Sequence, residues 1–255
     1  MKIIFLGTGT SQGIPVVGSQ HPVCLSENPK DKRLRSSILV QWEEFNYVVD
    51  CGPDFRQQML RVGCDHLNGI MFTHEHADHT AGIDDIRPFF FKQGDIPIYA
   101  TERVVSDLSR RFSYIFQKEN KYPGTPAVQI NTINKNTVFK LNNKKVVPIE
   151  VMHNQLPVMG FRIGDFSYLT DVKSIKKDQL KKLKNCDVLV LNALRIDPHP
   201  THLNLEEALE LIDYIKPNRA YLTHISHLLG FHNILSKQLP ENVYLAYDNL
   251  EINSN

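Results

Sequence analysis

Seven residues, Thr73-His74-Glu75-His76-Ala77-Asp78-His79, put three imidazoles and two carboxylates within six positions. Neutral imidazole and ionised carboxylate are the ligating forms of these side chains near neutral pH, and together they suit divalent zinc, iron or manganese. The apolar run Gly69-Ile70-Met71-Phe72 leads straight in, and Thr80-Ala81-Gly82-Ile83 follows. This reads as a buried strand, a tight loop and the start of a helix. Polar side chains seldom follow a buried strand without partners, so a merely His-rich surface loop is the weaker account. Three further residues end apolar, strand-like runs: His153 after Ile149–Met152, Asp171 after Phe166–Thr170, and His224 after Ala220–Thr223. That edge is where an α/β sheet collects its site.

The spacing His74-x-His76-x-Asp78-His79 resembles the HxHxDH signature of the metallo-β-lactamase superfamily, and the resemblance runs over nearly the whole chain. It implies an α/β fold, a four-layer αββα sandwich, with the site at one edge between the two sheets. It implies that His74, His76 and His153 hold one metal, that Asp78, His79 and His224 hold a second, and that Asp171 bridges them. The cofactors implied are two divalent ions, zinc and/or manganese. Asp50 would support a ligating imidazole from behind, whose free N–H needs an acceptor; otherwise it caps a turn.

The opening strand with Gly7-Thr8-Gly9-Thr10-Ser11-Gln12-Gly13, and the stretch Gly82-Ile83-Asp84-Asp85-Ile86-Arg87-Pro88, resemble the PhnP-type cyclic phosphodiesterase branch, related to tRNase Z. The implied reaction is hydrolysis of a small cyclic phosphodiester, such as a phosphorylated ribose 1,2-cyclic phosphate. A metal-bound hydroxide would attack, oriented by Asp78. A His of the loop before residue 205, His202 or else His199, would protonate the leaving oxygen, a task suited to a near-neutral pKa. Arg87 would contact the substrate phosphate, for which a guanidinium fork is well shaped, or would be tied to a nearby Asp. PhnP-type proteins also carry a separate structural zinc site. His21, Cys24 and His227 are its counterparts here, with Ser19 standing where a thiolate is expected. Rival readings are a tRNase Z-like RNA 3′-processing endonuclease, another hydrolase of lactones or thioesters, and a non-catalytic metal-binding scaffold. No long Gly/Pro- and Lys-rich insertion suggests a tRNA-gripping arm.

The positioning elements follow from pattern and punctuation. Strands are expected at Lys2–Leu6, Ser36–Val40, Tyr47–Asp50, Ile96–Ala100, 128–130, 138–141, 146–148, Met159–Ile163, Val188–Leu191 and Val243–Ala246. Helices are expected from Pro53 to about Val62, closed by Gly63, from Glu102 to about Ile115, and near 233–239. Another is expected from Leu205 to Ile215, with Asn204 and Glu207 as a capping box. The lysine-rich run Lys173–Lys184 reads as the solvated face of an amphipathic helix, or as an RNA-facing patch. Lys118–Pro126 reads as a surface loop.

The 255 residues, 42% hydrophobic, suffice for one large core, and a single hydrolase domain over 1–255 is expected. A net charge of +1 does not advertise nucleic-acid binding. Cys24, Cys51, Cys64 and Cys186 lack a disulfide-rich spacing, and Ile3–Leu6 is too short for a signal-peptide core. A cytoplasmic protein with reduced thiols is therefore expected. No apolar run spans a bilayer. The expected partner is a small phosphodiester; nucleic acid is the lesser alternative, no membrane is expected, and homodimerisation stays open.

Overall fold

The structure, a computed structural model, describes residues 1–117, 119 and 121–254. The strands are β1 (Lys2–Gly7), β2 (Ser37–Trp42), β3 (Phe45–Val49), β4 (Gly69–Met71), β5 (Ile96–Ala100), β6 (Val128–Thr132), β7 (Phe139–Leu141), β8 (Lys144–His153), β9 (Leu156–Ile163), β10 (Phe166–Leu169), β11 (Ser174–Ile175), β12 (Val188–Asn192), β13 (Arg219–Thr223), β14 (Val243–Leu245) and β15 (Glu251–Asn253). One sheet runs β15-β1-β2-β3-β4-β5-β6 and the other β11-β8-β9-β10-β12-β13-β14, with β7 added on β8.

Alternation along each strand builds the layers. Ile3 and Phe5 of β1 and Val188 and Val190 of β12 meet in one core between the sheets, with Met71 and Phe161. Ile4, Leu6 and Leu39 point the other way, to helices Phe55–Val62 and Glu102–Arg111. Leu189 and Leu191 face helix Leu205–Ile215. Successive side chains of a strand take opposite faces, and here both faces are covered, so the strands read as unbroken apolar runs. The αββα expectation holds. Strands β3 to β6 pair in parallel, as do β10, β12, β13 and β14. Parallel strands end on one side: β4 leads into His74–His79, β10 into Asp171 and β13 into His224, while His153 ends β8, which pairs antiparallel with β9.

Local chemistry sets the boundaries. Asn204 Oδ1 accepts the Glu207 amide at 2.9 Å and Glu207 Oε2 accepts the Asn204 amide at 3.0 Å, closing the expected capping box. Gly63 caps helix Phe55–Val62 with φ 64°. Pro53, expected at that helix's first turn, lies in the turn before it, and Asp54 is the N-cap. The helix expected to reach Ile115 breaks at Phe112 (φ −121°, ψ 45°) and resumes as Ser113–Phe116. The lysine-rich run is not one helix: it forms β11, the short helix Lys177–Leu180 and a 3₁₀ turn, because residues 173–175 are captured by β8. Strand β8 runs unbroken through Pro148 to His153. Of the expected loop Lys118–Pro126, Lys118 and Asn120 lie outside the described residues. All four cysteines are unpaired. No helix among the described residues is long and apolar enough to cross a membrane.

Candidate metal centre

The loop after β4 is held from three sides. Asp50, following β3, accepts the Thr73 amide at 2.8 Å and the Thr73 hydroxyl at 2.9 Å. Cys51 donates its amide to the His79 carbonyl, and Gly82 donates back to Cys51. This close approach requires Gly52 and Gly82: a Cβ on Gly52 would run into the Asp78 carbonyl, and one on Gly82 into the Gly52 carbonyl. On the outer side Arg103 donates to Glu75 Oε1 at 2.8 Å and to the Pro157 carbonyl, while Arg111 donates to the Glu75 carbonyl and the Thr80 hydroxyl.

The strand ends then converge. Ring centroids of His74 lie 4.6 Å from His76 and 4.3 Å from His79, and His76 lies 5.4 Å from His153. His79 Nε2 is 3.1 Å from Asp78 Oδ2 and 3.2 Å from Asp171 Oδ2. His224 Nε2 is 3.3 Å from the other oxygen, Asp171 Oδ1, and 3.7 Å from Asp78 Oδ2. Three groups have donor atoms mutually within 4.8 Å: His74, His79 and Asp171; Asp78, His79 and His224; and His153, Asp171 and His202. His76 packs against His74 and His153 but belongs to none of these groups. Asp50, Asp171 and His224, each just past a strand end, all have positive φ (67°, 58° and 53°). Non-glycine residues there cost of order 1–3 kcal/mol and persist where surrounding structure holds them.

Hydrogen bonds fix which ring nitrogen faces inward. His79 Nδ1 donates to Asp50 Oδ2 at 2.6 Å and His153 Nδ1 to the Thr201 carbonyl at 2.8 Å. The Thr73 hydroxyl, spent on Asp50, accepts His74 Nδ1–H at 3.0 Å. Each bond leaves the Nε2 lone pair toward the centre. His74 Nε2, His79 Nε2 and both ring nitrogens of His224 are buried with no hydrogen-bond partner. Buried polar atoms rarely go unpartnered, and imidazole nitrogens beside two carboxylates fit divalent metal.

The electrostatics agree. Burial pushes Asp171 up, but His224 and His79 outweigh it and hold the carboxyl well below its ordinary range. Asp78 is likewise held far down, His79 and His224 overcoming burial. Burial pulls His79 down, yet Asp78, Asp171 and Asp50 drive it well up. His74 is pulled well down, by burial first and His79 second. The carboxylates attract positive charge to this point. Burial and then His224 lower His202 to about 3, against the pull of Asp171 Oδ1 3.8 Å away.

His202 is buried, its ring 4.4 Å from His153 and 4.9 Å from His224. The His199 ring centroid is 5.2 Å from that of His202. A cleft of about 440 Å³ opens beside them, lined by His76, His153, Asn154, Gln155, Leu156 and Thr201. Arg87 is not brought into the site's groups. Its Nη2 binds both oxygens of Asp84, at 2.8 and 3.0 Å, and Tyr114 shares that carboxylate. His21 and His227 pack edge to face at 4.9 Å. Cys24 lies in the apolar core instead, and this trio is not among the clustered groups. Thr73 and Thr201 are the positioning residues that pattern reading passed over; only the position of Thr73, directly before the motif, hinted at it.

The beta-lactamase superfamily domain model matches residues 45–225. The chain belongs to the metallo-β-lactamase superfamily. A crystal structure of a diphosphatase from the PhnP family superposes with a TM-score of 0.93 at 36% identity, covering 100% of this chain and 98% of that one. An octanoyltransferase of Porphyromonas gingivalis is 38% identical over 253 residues, 98% of this chain but 51% of that protein, so the chain spans about half its length. A ribonuclease Z of Picrophilus torridus is 23% identical over 310 residues, covering 99% of this chain and 95% of that protein. This superfamily membership and the PhnP-family likeness place the chain among hydrolases.

Proposed function

We propose that this metallo-β-lactamase-fold protein is a dinuclear metal phosphodiesterase acting on a small cyclic phosphodiester, and that residues 1–255 form one hydrolase domain. One observation carries the reading: Asp171 clusters with His74 and with His153 of one donor set, and its oxygens lie 3.2 Å from His79 and 3.3 Å from His224 of the other, so two donor sets share one carboxylate. His74, His76 and His153 would hold one ion and Asp78, His79 and His224 the other, with Asp171 available to both. The metals are zinc or manganese, which suit imidazole and carboxylate donors. When bound, such ions would supply a water of lowered pKa and charge neutralisation for a phosphoryl group.

The chain's own groups do the rest. Asp50, directly and through Thr73, keeps His79 and His74 in the Nε2-facing tautomer. Asp78, whose Oδ2 lies 3.1 Å from His79 Nε2 and 3.7 Å from His224 Nε2, orients the attacking group. His202 faces the leaving oxygen; burial keeps it neutral, and the anionic phosphate brings the charge that favours its protonation. The likeness to the PhnP-family diphosphatase supports phosphoryl transfer. The octanoyltransferase name belongs to a protein twice as long, about half of which this chain does not match.

Metal-replete protein should hydrolyse ribose 1,2-cyclic phosphate carrying a 5-phosphate, and chelation should abolish this. Turnover of precursor tRNA without turnover of the cyclic diester would move the assignment to RNA 3′ processing.

A further inference from the structure

His224 is held differently from the other buried imidazoles of the centre. His74, His79 and His153 each have an acceptor behind Nδ1. Nδ1 of His224 is buried and, among the described residues, has none. Its ring is therefore aimed by the backbone that carries it, which has a positive φ of 53°. A non-glycine residue keeps that conformation only where its neighbours are fixed.

The neighbours are fixed by one closed circuit. After His224, Ile225 donates its amide to the Thr8 carbonyl at 2.9 Å, and its carbonyl accepts the Thr10 amide at 3.0 Å. The Gly-rich loop after β1 thus lies along Ile225 as a short parallel bridge at Gly9. Before His224, the Leu222 carbonyl of β13 accepts the Ala246 amide at 2.9 Å. Arg33 joins the two sides. Its Nη1 donates to Thr8 Oγ1 at 2.8 Å and to the Ala246 carbonyl at 2.6 Å. The path from Thr8 through Ile225, His224, Thr223, Leu222 and Ala246 returns to Thr8 through Arg33.

The circuit is buried and internally satisfied. Thr8 is fully buried and Arg33 is 4% exposed. The Thr8 hydroxyl donates to Asp248 Oδ1 at 2.8 Å while it accepts from Arg33, and Asp248 Oδ2 accepts the Leu34 amide at 2.8 Å. Gly9 is pinned on its far side, its amide to the Leu34 carbonyl and its carbonyl to the Ser36 amide. Thr8 Oγ1 bridges the guanidinium and the carboxylate. Without that hydroxyl, Asp248 Oδ1 would lose its donor in a buried place, a loss that a loop shift must relieve.

We propose that Thr8, held by Arg33 and Asp248, is a positioning residue for His224, and that it sets the affinity of the ion that His224, Asp78 and His79 would hold. Thr8 acts through the Ile225 amide and touches neither ion nor substrate. His74, His76 and His153 lie off the circuit, so losing the Thr8 hydroxyl separates the affinities of the two ions. The proposal rests on the dinuclear reading above.

The test uses the full chain, stripped of metal and titrated with zinc by calorimetry, with metal content measured after dialysis. Wild type is compared with Thr8→Val, Thr8→Ser and His224→Ala. A further variant, Leu141→Ala, loosens the core where β7 meets the start of β8, at the opposite end of that strand from His153. Thr8→Val should weaken about tenfold or more the zinc equivalent that His224→Ala loses, and leave the other equivalent unchanged. Thr8→Ser, which keeps the hydroxyl, should restore it. Leu141→Ala should lower the unfolding midpoint without separating the two equivalents. Unchanged zinc binding in Thr8→Val, or both equivalents weakening together as the unfolding midpoint falls, overturns the proposal. Wild type that takes up a single equivalent removes the dinuclear reading. The positioning role then stands if Thr8→Val and His224→Ala weaken that equivalent in step, and falls if Thr8→Val leaves it unchanged.

Discussion

Two sets of imidazoles in this protein differ in what stands behind them. At the sheet edge His74, His79 and His153 each give Nδ1–H to an acceptor, respectively Thr73, Asp50 and the Thr201 carbonyl, and so present Nε2. At the His21–His227 pair the logic is reversed. His21 Nδ1 accepts the Val23 amide at 3.3 Å as a helix cap, which puts its proton on Nε2. His227 Nδ1 is buried with no partner, and Cys24 packs in the core. Histidines brought together are not yet a ligand set; buried acceptors that choose the tautomer and hold the ring make them one.

Removing the acceptor should erase the contrast. Asp50→Ala is expected to lower metal affinity about 10–100-fold, read as metal content after dialysis; retained metal would show that the backing is dispensable. Gly52→Ala forces the 50–52 turn off the Asp78 carbonyl. It should cost about 2 kcal/mol or more in denaturant unfolding and loosen the metal with it. His202→Ala should keep the metal but lower kcat about 10²–10⁴-fold, separating a proton-handling imidazole from a ligating one. On the other side of the comparison, His227→Ala should leave metal stoichiometry unchanged and shift stability by less than about 1 kcal/mol. Loss of one metal equivalent there would instead place a third ion at that pair.

The smallest effect is a pH dependence away from both sets. Burial and then Arg33 lower His232 to about 4, against an ordinary value of 6.5. The unfolded chain therefore binds the proton first. Stability should be full above about pH 6.5 and fall as pH drops toward about 4. A His232→Gln variant should flatten that window in thermal unfolding curves measured from pH 7 to 4.

The sequence made the strand-end residues legible because each closes an apolar run, and the motif spacing set most of the candidate ligands. It also carried the capping box at Asn204, where two side chains and two amides suffice. What it concealed depends on tertiary contact. The lysine run looks helical until β8 captures Ser174 and Ile175. Strand β15 is short, and its role appears only when it pairs with β1. The left-handed backbone at Asp50, Asp171 and His224 is only weakly marked in residue type, since Asp and His adopt it more readily than most residues but none is glycine. Nothing in the letter Arg87 shows that Asp84, three residues before it, holds its guanidinium.

The two sheets contribute unequally placed halves of one centre. Asp50 and the His74–His79 loop hang from the first sheet, and His153, Asp171 and His224 from the second. Neither sheet alone carries the complete donor set. Any ion bound there acts as a cross-brace between them, adding RT ln(1 + [L]/Kd) to the work of parting the layers. Unfolding followed at rising metal concentration thus becomes a gauge of how firmly the two sheets are docked.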